Sequence, residues 1–210
     1  MPVDSDEARK AATGHRCGTL AVIINKLTYM NIAYNLERKD FIEYQLFTAS
    51  KSEIIKKSWQ KSRIRIPIVY LILGLILFVL ADIIFALVFI GIGAAWYFFY
   101  PSFMRKRYLR HFERYVDENL KNRFGKHVSL IFGEEFIDTT DYMGESKLKI
   151  NEITEVNEID NYIFLKFSSG ESLIIPKIII NQKNEFNNFI KNLVQKLKIQ
   201  HNVDLNWKWR

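Results

Sequence analysis

Residues 66–101, IPIVYLILGLILFVLADIIFALVFIGIGAAWYFFYP, decide the fold. The stretch is 36 residues long, and Asp82 is its one charged residue. A helix rises about 1.5 Å per residue, so a single straight helix would be about 54 Å long. The hydrocarbon core of a bilayer is only about 30 Å thick. Two spans with a tight turn fit better, over 63–81 and 83–100 within a hairpin of 63–101. Asp82 falls at the midpoint. A carboxylate in a turn that reaches water costs little, whereas one at mid-bilayer is expensive. Asp82 therefore reads as a turn residue. The competing reading, a buried proton or ion site, lacks a partner charge anywhere else in 66–101.

Small residues support the hairpin. Gly74 lies eight positions before Asp82 and Gly91 nine after it, so the two reach similar depths. Gly91 and Ala95 form a small-xxx-small pair, which lets backbones approach where lipid supplies no hydrophobic drive. The motif does not separate packing within the hairpin from pairing of two copies, so a homo-oligomer stays open. Tyr70, Trp96, Tyr97 and Tyr100 place aromatic rings at one end, as expected of a membrane interface.

The flanks give an orientation. Residues 51–65 and 102–126 are each net +5, and they include Arg63, Arg65 and the run Arg105, Lys106, Arg107. By the positive-inside bias both flanks are cytoplasmic, so both termini lie inside and position 82 faces out. The expected location is a bacterial cytoplasmic (inner) membrane. The run is internal, too long for a signal peptide, and is followed by no small-residue cleavage site.

Whole-chain averages hide all of this. A chain of 210 residues with 49% apolar content, net charge +7 and mean hydropathy −0.07 looks like an ordinary soluble protein. The averages do exclude a wholly disordered chain. Cys17 is the one cysteine, which excludes an internal disulfide framework and a Cys-rich zinc ribbon. Residues 1–29 precede the first well-patterned segment and read as an upstream mis-start or a disordered leader.

The remainder reads as cytoplasmic. In 30–62, alternating Met30, Ile32 and Tyr34 predict a half-buried strand. Asn35 is placed to cap a following helix, with Phe41, Tyr44, Leu46 and Phe47 on its apolar side. A second helix, from about Ser52, runs into the first span. Residues 102–126 predict a separate basic amphipathic helix, with Phe103, Leu109, Phe112, Val116 and Leu120 as apolar positions. From 127 to 198 short strands follow one another through Gly133, Gly144, Asp160-Asn161 and Ser168-Ser169-Gly170, until Pro176 stops regular pairing. Phe186, Phe189, Ile190, Leu193 and Leu197 then mark one helix face. A meander closed by one helix predicts a small, partly open β-barrel with a helical plug. Residues 199–210 form a tail whose Trp207-Lys208-Trp209-Arg210 alternates aromatic and basic groups; it reads equally as a membrane contact or a frayed end.

The order strand, helix, basic-flanked two-span hairpin and C-terminal β unit resembles the YcxB-like bacterial membrane proteins, over Met30 to Lys198. The residues that carry the resemblance are Ile153, Val156 with Glu158, the aromatic-rich run Tyr162 to Phe167, and Ile174-Ile175-Pro176-Lys177. At position 150, often Trp in the family, this chain has Ile150. The resemblance implies a pleckstrin-homology-like fold for 127–198. It brings no activity and no catalytic residues. The expected fold class is thus a membrane-anchored α+β protein: a two-helix transmembrane hairpin with a cytoplasmic pleckstrin-homology-like small β-barrel or sheet closed by a C-terminal helix.

Chemistry-bearing constellations are sparse. His15, His111, His127 and His201 are scattered, with no HExxH or CxxC spacing, so no metal site is expected. Glu134, Glu135, Asp138 and Asp141 lack the spacing of a calcium loop and read as a solvated face. Phosphate-binding glycine loops and a GxSxG nucleophile elbow are absent from the sequence. No cofactor and no enzymatic activity are expected. Glu158 and Lys177 read as a strand-end pair, or as contacts to a peptide or ligand. The basic flanks attract anionic lipid headgroups at about 1 kcal/mol per residue near the surface, or serve only to set topology. Nucleic acid is not expected as a partner, because the positive excess sits beside the spans and 127–210 is net −2. The function expected is a membrane-anchored interaction module that binds a protein segment or lipid headgroup. The alternative is a membrane-assembly or transport-associated subunit that oligomerises through its hairpin.

Overall fold

A first strand, β1 (Met30–Asn35), pairs antiparallel with β2 (His127–Phe132), and Asn35 stands opposite His127. The computed structural model describes residues 30–80, 83–180 and 183–209. The turn expected at Asp82 and the expected leader 1–29, with His15 and Cys17, lie outside the described residues. The described chain divides into two compact units: 30–36 with 123–207, and 37–122 with 208–209.

In the first unit, β1 and β2 are followed by β3 (Phe136–Asp141) and β4 (Gly144–Lys149), giving a four-stranded sheet in the order β1-β2-β3-β4. A second sheet contains β5 (Ile153–Ile159), β6 (Tyr162–Phe167) and β7 (Ser172–Pro176). Its fourth strand is β8 (Gln200–Asp204), and the order is β7-β6-β5-β8. β8 runs parallel to β5, whereas the other pairs are antiparallel.

Alternation explains β1, where Ile32 and Tyr34 are buried and Asn31, Ala33 and Asn35 are exposed. β6 is buried on both faces at Ile163, Phe164 and Leu165, as a central covered strand should be. The helix Lys183–Leu197 sets Phe186, Ile190 and Leu193 into the core. Phe189 on that helix meets Phe132 edge to face at 5.0 Å.

Where a small, partly open barrel or sheet was expected, no closed barrel forms. The strands form two separate sheets, and β1 and β7 share no backbone ladder. A side chain bridges them instead: the Tyr34 hydroxyl donates to the Ile174 carbonyl at 2.7 Å. The tail also differs from expectation, because 200–204 is a strand and not a frayed end.

In the second unit, α1 (Arg38–Lys51) is capped by Glu37 and not by Asn35, which ends β1. The Asp40 carboxylate accepts the Glu37 N–H at 2.7 Å, which satisfies a donor at the helix start. α2 (Glu53–Leu80) and α3 (Ile83–Asn119) are single continuous helices. The basic helix expected over 102–126 is thus the C-terminal part of α3, carried straight through Pro101. The lysine-bearing helix Lys183–Leu197 of the first unit is the fourth, α4.

α2 and α3 are long and apolar enough to cross a membrane. Their apolar side chains are largely exposed: Val79 is 79% exposed, Leu80 78%, Phe98 73% and Phe99 73%.

Candidate functional site

The helix pair is built around two glycines. A Cβ on Gly74 of α2 would stand 2.9 Å from Ile90 Cγ1 and 3.2 Å from the Ala86 carbonyl oxygen of α3. A Cβ on Gly93 would stand 3.2 Å from Tyr70 Cβ and 3.4 Å from the Pro67 carbonyl oxygen. Ala86 is only 1% exposed. Gly74 therefore lies at the seam, together with Ala86 and Gly93. Gly91 and Ala95 are exposed on the outside of the pair, and a Cβ on Gly91 would meet nothing within 4 Å. Sequence reading missed Gly93. The signal was the seven-residue spacing from Ala86 to Gly93, which keeps both on one face of α3.

Beyond the seam the pair carries a basic and aromatic band. The Arg63 guanidinium lies 4.2 Å from the Tyr97 ring centroid, a cation–π distance. Trp59, one turn earlier on α2, meets Tyr108 of α3 edge to face at 5.0 Å. Trp209 completes the cluster, with centroids 5.7 Å from Trp59 and 6.4 Å from Tyr108. Its indole N–H donates to the Arg105 carbonyl at 3.3 Å. Trp96 and Tyr100 lie 5.4 Å apart on α3. Arg65, Lys106 and Arg107 are exposed, whereas Arg63 and Arg105 are half-buried.

Three donors in this region have no acceptor among the described residues and are shielded from solvent: Trp59 Nε1, Arg63 Nε and Trp96 Nε1. Sequence reading placed Arg63 and Trp96 near this end. It missed the meeting of Trp59 and Tyr108 with Trp209, because a tail residue's partner on a distant helix leaves no local pattern.

A bidentate ion pair joins α1 to α3. Arg38 Nε donates to Asp117 Oδ1 at 2.6 Å, and Arg38 Nη2 to Oδ2 at 2.8 Å. The pairing hydrogen bond holds the Asp117 carboxyl below its ordinary range and raises Arg38. On α1, burial pushes the Glu43 carboxyl up, and the neighbouring Asp40 charge adds to the shift.

The β unit holds a different constellation. Glu158 on β5 lies between Lys177 Nζ at 2.8 Å and His201 Nε2 at 3.0 Å. Its side chain is 17% exposed. Glu158 and Lys177 were expected to meet, and they do. His201 was not expected there, and it arrives because β8 lies beside β5. The other pattern residues are structural: Ile153 is 2% exposed, Val156 is fully buried and Pro176 closes β7 in the core.

Among the described residues no three His, Cys, Asp or Glu side chains stand together as metal ligands. Of the acidic group, Asp138 pairs with Lys147 at 3.4 Å, and Asp141 accepts the Met143 N–H at 2.8 Å within its turn.

The molecule thus combines a two-sheet β unit with two helices of membrane-spanning length. Residues 132–190, from the end of β2 into α4, match the family model described as YcxB-like protein. No curated protein and no solved structure matches the chain.

Proposed function

We propose that this is an integral membrane protein of the bacterial cytoplasmic membrane, anchored by the α2–α3 hairpin. Position 82 faces out and both termini face the cytoplasm. The observation that carries the reading is the exposed apolar surface of the two helices, bounded on both chain flanks by clustered basic residues. In water so large an apolar surface would drive aggregation. In a bilayer it is matched to its solvent, and the basic flanks stay on the side that favours positive charge.

The β unit then serves as a cytoplasmic interaction module that binds a protein segment or a lipid headgroup. Two four-stranded sheets with α4 packed into their core support a pleckstrin-homology-like reading of this unit, as an open sandwich and not a barrel.

Membrane topology is tested on the full-length chain, with Cys17→Ser as background and single cysteines at positions 51, 82 and 126. A membrane-impermeant maleimide added outside should label Asp82→Cys and spare Lys51→Cys and Lys126→Cys. External labelling at position 126 would refute the orientation. Crosslinking in native membranes then identifies the partner.

One observation favours a second reading. Gly91 and Ala95 are not used inside the hairpin, so their small face is open to a helix of another copy. A subunit that assembles through this face would lose its complex on Gly91→Leu while its own hairpin stayed intact.

A further inference from the structure

We infer that the juxtamembrane end of the helix pair holds a binding site for the phosphodiester of an anionic phospholipid, centred on Arg63. The inference rests on the membrane-anchored reading above. Three N–H donors, Trp59 Nε1, Arg63 Nε and Trp96 Nε1, are withdrawn from water without an acceptor among the described residues. A buried donor left unmade costs about 1–3 kcal/mol. Native chains seldom leave such a donor without a partner from outside. All three are donors and none is an acceptor, so the missing group offers only lone pairs. Arg63 is a permanent cation, so an anion is favoured over a neutral carbonyl.

Position narrows the choice further. Trp59, Arg63 and Trp96 lie where the apolar spans meet the basic flanks, the level at which phospholipid phosphates sit. Indole and guanidinium groups with apolar bodies and polar heads suit that level.

Arg63 is also held in place and not merely attracted. Its guanidinium is stacked on Tyr97 at 4.2 Å, so the planar fork is ordered before a ligand arrives. Arg65, two positions on, is exposed and makes no such contact with an aromatic ring in the band. Arg105, Lys106 and Arg107 then add the wider field that draws anionic lipid to this end.

The test is lipid retention by the purified full-length protein in detergent, read by native mass spectrometry. Phosphatidylglycerol and phosphatidylcholine are presented in equal amounts, with inorganic phosphate as a third probe. Wild type should retain phosphatidylglycerol over phosphatidylcholine. Arg63→Lys keeps the charge but loses the planar fork, and should lower that preference about fivefold. Trp59→Phe keeps the ring and loses the donor, and should act in the same direction. Arg65→Lys should match wild type.

If Arg63→Lys and Arg65→Lys both match wild type, lipid is held by a diffuse field and the site is refuted. Equal retention of the two lipids refutes it as well. Displacement of lipid by millimolar inorganic phosphate would make free phosphate the ligand and overturn the lipid assignment. Alkaline extraction of membranes separates these results from failure of the anchor. Protein released into the soluble fraction refutes anchoring. Protein that stays in the membrane without a headgroup preference refutes only the site.

Discussion

The Tyr34 hydroxyl donates to the Ile174 carbonyl across the line where β1 and β7 fail to pair. One side chain thus does at this edge what a backbone ladder does elsewhere in the unit. Tyr34→Phe should cost about 1–1.5 kcal/mol, because it leaves a buried carbonyl short of a donor while keeping the ring. Thermal unfolding of the full-length protein measures this. An unchanged midpoint would show that the hydroxyl contributes nothing to holding the sheets.

The seam of the helix pair predicts opposite outcomes at two glycines. Gly74→Leu forces a side chain into Ile90 and the Ala86 carbonyl, and should destabilise the pair by about 1–3 kcal/mol. Gly91→Leu faces open space and should leave the unfolding midpoint of the monomer unchanged. Equal losses at both sites would place the seam wrongly.

Docking of β8 depends on Glu158. Glu158→Ala removes the acceptor shared by Lys177 and His201, at a cost of about 2 kcal/mol. Hydrogen exchange should rise at the amides of Gln200–Asp204 before it rises in β6, because β8 has one neighbour and β6 has two. Uniform acceleration across both strands would contradict a local role.

The two carboxyls next to α1 respond to acid with opposite signs. Asp117 is held below its ordinary value of 3.8 by Arg38. Its contribution is fully present above that value and fades as pH falls below it. Coupling between Arg38→Ala and Asp117→Ala should therefore be measurable at neutral pH and vanish in strong acid or high salt. Glu43 is raised above its ordinary 4.5, so its ionised form burdens the folded state. Glu43→Gln should raise the melting temperature at pH 7, and this gain should shrink as pH falls and vanish below 4.5. A constant gain across that range would assign it to something other than charge.

The two long apolar helices, most strands and α4 were legible because each writes a local pattern: an unbroken apolar run, an alternation of two, a repeat of three and four. Three features were not. The inner face of α3 depends on its rotation against α2, so Gly93 and Gly91 look equivalent in sequence although only Gly93 meets Tyr70. β8 is polar, QHNVD, and earns strand geometry from parallel pairing with β5, a partner more than forty residues earlier by the pairing of Glu155 with Gln200. The split of the partly open barrel or sheet into two separate four-stranded sheets was not legible, because strand count alone does not say whether the last edges meet. Of the candidate site, the charges were legible in sequence, but the stacking of Arg63 on Tyr97 and the meeting of Trp59 with Trp209 were not, since both join positions far apart in the chain.

The pairing of Asn35 with His127 carries a consequence of parity. The two residues are rungs of one ladder, so they occupy the same aqueous compartment. Any bilayer that the chain crosses between them is crossed an even number of times. A single crossing is forbidden by the sheet alone, without appeal to charge. The same pairing sets an order of events during synthesis: β1 is made first and has no partner until both helices have been made. The first sheet can therefore close only after the hairpin is complete, which makes its formation a report on the hairpin before it.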